Sequence, residues 1–181
     1  MIYAAVILIS LVGTLLHFLY ELSGHNKLVA VFAAVNESTW EHIKICMTPT
    51  ILWSLCDGYV YGEAANYFVA KSLSMLVIIL MIPALFYTYT AFTKKAILWV
   101  DVICFYLTVI CSQLTFGYFV GLERLPFIFS YLSCILLFLE IGAYMFLTFN
   151  PLESFIFEDP ISHKYGLWGH TEIHSHKHGE S

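Results

Sequence analysis

Apolar runs about as long as a bilayer is thick recur through this chain, and they leave it few folds to adopt. A helix of about 20 residues crosses the hydrocarbon core. Five segments near that length can be drawn: Ile2 to Tyr20, Trp40 to Tyr61, Tyr67 to Phe92, Ala96 to Val120 and Phe127 to Phe149. Lipid offers no water to satisfy a backbone, so a spanning segment must be a helix or part of a closed barrel. Runs of this length predict helices, and the expected fold is an all-α polytopic transmembrane bundle of about five spans. The composition agrees, with 60% hydrophobic and 12% charged residues among 181, where a soluble domain carries about a quarter charged. Pro83 predicts a kink in the third span. Met1 to Tyr20 has neither a basic flank nor a small-residue cleavage site, so it reads as a retained first helix rather than a signal peptide. Two regions follow: a helical domain over 1–149 and a polar tail over 150–181.

Leu28 to Val35 is an apolar run too short to cross the membrane. It reads as a re-entrant or interfacial segment, tolerated at depth only if protein or a water-lined cavity covers its backbone. It leads into the most polar stretch near the spans, Asn36-Glu37-Ser38-Thr39-Trp40-Glu41-His42-Ile43-Lys44. One account of this stretch is local: Asn36 or Ser38 caps the second helix, and Glu41 completes a capping box. Trp40 reads as an interfacial anchor. Ionisable groups in or beside lipid are costly, however, and mark functional sites by default. His17 and Glu21 form a second such pair inside the first span.

Cytoplasmic flanks are enriched in Lys and Arg. With the Lys94-Lys95 loop inside, Lys27, Lys44, Lys94, Lys95, Lys164 and Lys177 are inner and only Lys71 and Arg124 outer. The expected orientation in the cell membrane is N-terminus outside and C-terminus inside. It brings His17 and Glu21, then Glu37, Glu41 and His42, then Asp101 and Glu140, towards one membrane depth. Imidazole with carboxylate suits zinc first, and iron or manganese next. The candidate metal ligands are His17, Glu21, Glu37, Glu41 and His42, with Glu37 or Glu41 as general base. Asn36, Ser38, Lys44, Asp101 and Glu140 are candidates for supporting them or serving as alternative ligands. His17 and Glu21 share a helix face, whereas His42 points about 100° from Glu41, so both reach one ion only if it lies between their directions. Each residue also has a plainer reading. His17 with Glu21 makes a local ion pair, Lys44 pairs with Glu41 or Glu37, Asp101 snorkels beside Lys94 or Lys95, and Glu140 is a protonated carboxyl bonded to a neighbouring helix. Asp57, Glu63 and Lys71 read as boundary charges.

The tail carries His163, His170, His174, His176 and His178, a loose metal-binding composition. The net charge of −5 and the lack of a basic stripe argue against nucleic acid. Five cysteines lie in apolar runs without C-x-x-C spacing and read as packed thiols. There is no nucleophile elbow, P-loop or dinucleotide glycine motif.

The strings His17-Phe18-Leu19-Tyr20-Glu21 and Asn36 to Lys44, with Phe157-Glu158-Asp159-Pro160 and Tyr165-Gly166 after the last helix, resemble a bacterial integral-membrane family of unknown function. The resemblance implies a small polytopic membrane protein and brings no activity with it. The residues themselves leave three classes open. One is a metal-dependent intramembrane hydrolase acting on a lipid-derived substrate. The second is a transporter passing a proton or cation, and the third is a non-catalytic subunit docking a partner.

Overall fold

The computed structural model describes residues 1–160 and 162–166. It is all-helical: α1 (Ile2–Leu22), a 3-10 turn (Val29–Val31), α2 (Thr39–Tyr61), α3 (Tyr67–Thr93), α4 (Leu98–Val120) and α5 (Phe127–Phe149). α1, α3, α4 and α5 are each long and apolar enough to cross a membrane, which makes this a multi-pass membrane protein. α2 has the same 23 residues as α4 and α5 but is too polar to qualify alone. It packs against α1, α3 and α4, burying its first half while Leu52, Leu55 and Tyr59 of its second half stay exposed. Its buried residues include Thr39, Glu41, Lys44, Thr48, Thr50 and Asp57.

Polarity is thereby turned inward. The outer helices expose Leu11, Leu15, Leu80, Leu114, Phe138 and Leu139 to the surroundings, while Ser72, Ser74, Thr108 and Ser112 are wholly buried. Small hydroxyl residues let transmembrane helices approach and bond across. The Ser112 hydroxyl of α4 donates to the Ser74 carbonyl of α3 at 2.8 Å. Gly13 of α1 serves the same end, since a Cβ there would lie 2.5 Å from the Phe105 ring and 2.8 Å from the Ile45 carbonyl. Pro49, four residues on, has no N–H to offer that carbonyl. The close approach of α1 therefore covers an oxygen the helix itself leaves open. α3 runs unbroken through Pro83.

The turns are chemically specified. After α1, Gly24 takes φ +68°, its N–H bonds the Glu21 carbonyl, and the His25 N–H bonds that of Tyr20. This is the paired closure that a left-handed glycine allows. At the opposite end of the bundle, buried Asn66 accepts from the Leu125 N–H and donates to the Leu122 and Glu123 carbonyls.

Two expectations change. Asp57 and Lys71 are not boundary charges: they form an ion pair at 2.5 Å with side chains 2% and 1% exposed, and the ammonium lies 4.5 Å from the Phe116 ring centre. Trp40 is no interfacial anchor, because it is buried against Phe157 with ring centres 4.9 Å apart. Lys71→Met leaves Asp57 buried and unpaired. It should cost about 3–5 kcal/mol of stability, while Lys71→Met with Asp57→Leu should recover most of that loss. Unfolding in mixed micelles measures both.

Candidate metal centre

The α2 N-terminus organises one end of the bundle. Asn36 Oδ1 accepts from the Ser38 N–H at 2.9 Å, and Ser38 caps α2 by accepting from the Glu41 N–H at 3.4 Å. In a capping box the third helical residue reaches back to the cap's own N–H. Here Asn36 already holds that N–H, and the Glu41 carboxylate reaches further, to the Val35 N–H at 3.0 Å. Glu41 also pairs with Lys44 at 2.6 Å, both nearly sealed from solvent.

Lys44 donates in turn to the Ala30 carbonyl at 2.9 Å. Thr48 donates to the Phe32 carbonyl at 3.2 Å, and the Tyr144 hydroxyl to the Val31 carbonyl at 3.3 Å. The Ala34 N–H bonds the Leu16 carbonyl of α1. Ala33 to Val35 are buried, and the backbone of the segment is satisfied partly by its own turns and α1 and partly by side chains of α2 and α5. The chain after α5 closes over the same end: the Ile156 carbonyl accepts from the Trp40 N–H, and the Gly166 carbonyl from the Asn36 amide.

With Glu41 turned towards Lys44, its neighbour His42 faces the other way. His17 Nε2 lies 3.6 Å from Glu37 Oε1, and His42 Nε2 lies 3.9 Å from Glu37 Oε2. One ligand atom from each of His17, Glu37 and His42 falls within 4.8 Å of the other two. Ligands at about 2.0–2.1 Å around tetrahedral zinc sit about 3.3 Å apart, so a small inward movement completes the set. Glu37 precedes α2 and is half-exposed, which leaves its side chain room to make that movement.

The site also carries an orienting bond. His42 Nδ1 lies 3.0 Å from the Ser38 carbonyl, which can only accept, so Nδ1 carries the proton. That bond turns Nε2 towards the cluster, where its lone pair can ligate a metal, the arrangement usual for metal-bound histidine. His17 Nδ1 is buried without a partner among the described residues.

Other candidates fall elsewhere. Glu21 pairs with His25 at 3.4 Å rather than with His17. Glu41 and Lys44 hold the loop and stand apart from the gathered ligand atoms. Glu140 is buried on α5, with neither oxygen bonded among the described residues, and it does not join the cluster. Asp101 does not snorkel to a lysine; it accepts from the Tyr89 hydroxyl at 2.5 Å. It lines two spaces with His42: a void of about 20 Å³ bounded by Thr39, Ile82 and Phe86, and a cleft of about 250 Å³ that His17 also lines. The smaller space has room for about one water. Tyr89 was not anticipated, and only the chain's return through α3 and α4 reveals it. His170, His174, His176 and His178 lie outside the described residues.

If Glu41 is structural and Glu37 is not, their amides should separate. Glu41→Gln strands a buried ammonium and should lower stability by about 3–5 kcal/mol. Glu37→Gln, half-exposed, should change it by about 1 kcal/mol at most. Denaturation in mixed micelles distinguishes the two.

No curated protein and no solved structure matches the chain. A family model matches residues 1–167, which include every residue of the cluster and the Leu28 to Val35 segment. The chain belongs to a family of unknown function (DUF6512).

Proposed function

We propose that the protein is a membrane-embedded, divalent-metal-dependent hydrolase acting on a lipid-derived substrate, with His17, Glu37 and His42 as metal ligands. The observation that carries this reading is the convergence of two imidazoles and one carboxylate from α1, the loop and α2, with His42 fixed so that Nε2 faces Glu37. Two His and one Glu form the ligand set of many catalytic zinc sites, which keep a position open; iron and manganese accept the same donors. A bound metal would supply Lewis acidity and bring a water's pKa towards neutrality. Asp101, on the cavity wall beside His42 and held by Tyr89, takes the water's proton as general base, directly or through one intervening water.

This moves the base from Glu37 or Glu41 to Asp101. Glu37 is needed as a ligand, and Glu41 is neutralised by Lys44. In the orientation favoured by the lysine distribution, the site opens towards the cytoplasm of a cell whose membrane the chain crosses. A proton or cation path is less well supported, because Asp57, the acid of the opposite half, is already paired with Lys71.

Metal analysis of purified full-length protein carrying Ala at His170, His174, His176 and His178 tests the reading without the tail's imidazoles. About one equivalent of zinc, iron or manganese should be retained. His17→Ala, His42→Ala and Glu37→Gln should each weaken retention by at least about tenfold with the fold intact. Metal absent from the parent protein, or unchanged in all three variants, contradicts the assignment.

A further inference from the structure

The cleft beside the cluster has a shape and a polarity that speak to the substrate, given the metal-centre reading above. It lies between α1 and α4, bounded by Thr14, His17 and Phe18 on one side and by Leu98, Trp99, Val102 and Tyr106 on the other, with Ile45 and Phe105 as its floor. Its polar groups, His17, His42 and Asp101, gather at the end where α1 finishes and α4 begins. Deeper along both helices the walls are apolar. The cleft narrows there: the Thr14 and Tyr106 hydroxyls bond at 3.1 Å, and at Gly13 the helices approach too closely to admit a Cβ. It is a wedge bounded towards the middle of the bundle by these contacts, with the ligands at its other end.

Its mouth is lined by Phe18, Leu98 and Trp99, which are 56%, 66% and 74% exposed. Both flanking helices are apolar enough to cross a membrane, and Phe18, Leu98 and Trp99 stand near their ends, which puts the mouth at the boundary between hydrocarbon and headgroups. A molecule matching this gradient has a long apolar part that enters sideways from the bilayer and a polar bond that stops at the ligands. The volume, about 250 Å³, falls below the roughly 300–1,000 Å³ of pockets that enclose drug-sized ligands. That has room for the carbonyl-proximal part of one hydrocarbon chain and not for a pair.

We infer that the α1–α4 wedge holds a single acyl chain of an ester or amide lipid, with its carbonyl delivered to the His17–Glu37–His42 centre. In the step this serves, the water oxygen bonds to the carbonyl carbon and its proton passes to Asp101. The carbon–oxygen or carbon–nitrogen bond then breaks, and the proton goes on to the departing alcohol or amine. A fatty acid is the other product.

The test uses palmitoyl hydroxamic acid, whose head chelates metal, carrying a photoreactive diazirine in mid-chain. It is applied to the metal-loaded full-length protein in zwitterionic lipid nanodiscs. The expected result is labelling concentrated on Phe18, Val102 and Tyr106. It should be at least tenfold above the lipid-facing Leu139 and Phe146 of α5, be suppressed by excess unlabelled palmitoyl hydroxamate, and fall about tenfold in Val102→Trp, which fills the wedge. Even labelling of all lipid-facing residues, or no suppression by the competitor, overturns the proposal even if Val102→Trp does not fold. A wedge left unlabelled because a second copy of the chain covers it overturns it as well. Acetohydroxamic acid, which has no chain to place, reports on the metal separately through the visible spectrum of the cobalt-loaded protein. A spectral response with scattered labelling removes the wedge and keeps the metal centre. Wedge labelling without any metal effect keeps the chain site and removes the hydrolytic metal.

Discussion

The buried pair between Glu41 and Lys44 is the interaction on which the rest of this end of the molecule depends. Two opposite charges removed from water are tolerated only when further hydrogen bonds complete them. Here both partners spend those bonds on one segment: Glu41 takes the Val35 N–H and Lys44 gives to the Ala30 carbonyl. A short apolar run that makes few bonds of its own is thereby fastened across the start of α2. Fixing Val35 also sets where Glu37 emerges two residues later. A helix turns about 100° per residue, so Glu41 facing the loop leaves His42 facing α1 and α4. One ion pair therefore determines which acid is structural and which is presented at the cluster.

The fold supports this by burying its most polar helix. Four apolar helices carry most of the outward-facing apolar surface, joined by Leu52 and Leu55 of α2, while α2 buries Glu41, Lys44, Thr48, Thr50 and Asp57. Each helix reverses the chain, so the end of α1, the starts of α2 and α4, and the ends of α3 and α5 meet. His17, His42, Asp101 and Tyr89 come from four of these helices, and Glu37 from the loop that leads into α2. In a site assembled in this way the histidines are held by helices, Glu37 stands on the exposed loop, and a cleft opens where α1 and α4 part.

Much of this was legible in the sequence. The apolar runs gave the helices to within a few residues, and the polar string from Asn36 to Lys44 marked the end of the bundle where His17, Glu37 and His42 converge. Alternating direction then brought Asp101 to the same level. Pairings between side chains were not legible. His17 and Glu21 have ideal spacing for one helix face, yet Glu21 turns to His25 and His17 to Glu37, because the glycine-closed turn brings the loop back across α1. Glu37 and Glu41 look equivalent in sequence, and only the position of Val35 separates them. Asp57 and Lys71 lie near helix ends, where charges commonly meet water, and nothing local shows that neighbouring helices enclose them.

X-ray absorption at the zinc edge tests the central claim most directly, on zinc-loaded full-length protein carrying Ala at His170, His174, His176 and His178. Two imidazole nitrogens from His17 and His42, with oxygen from Glu37 and solvent, should give a first shell at about 2.0–2.1 Å together with imidazole outer-shell scattering. The imidazole contribution should halve in His42→Ala. A shell containing sulfur at about 2.3 Å, or a spectrum unchanged by His42→Ala, would contradict the account.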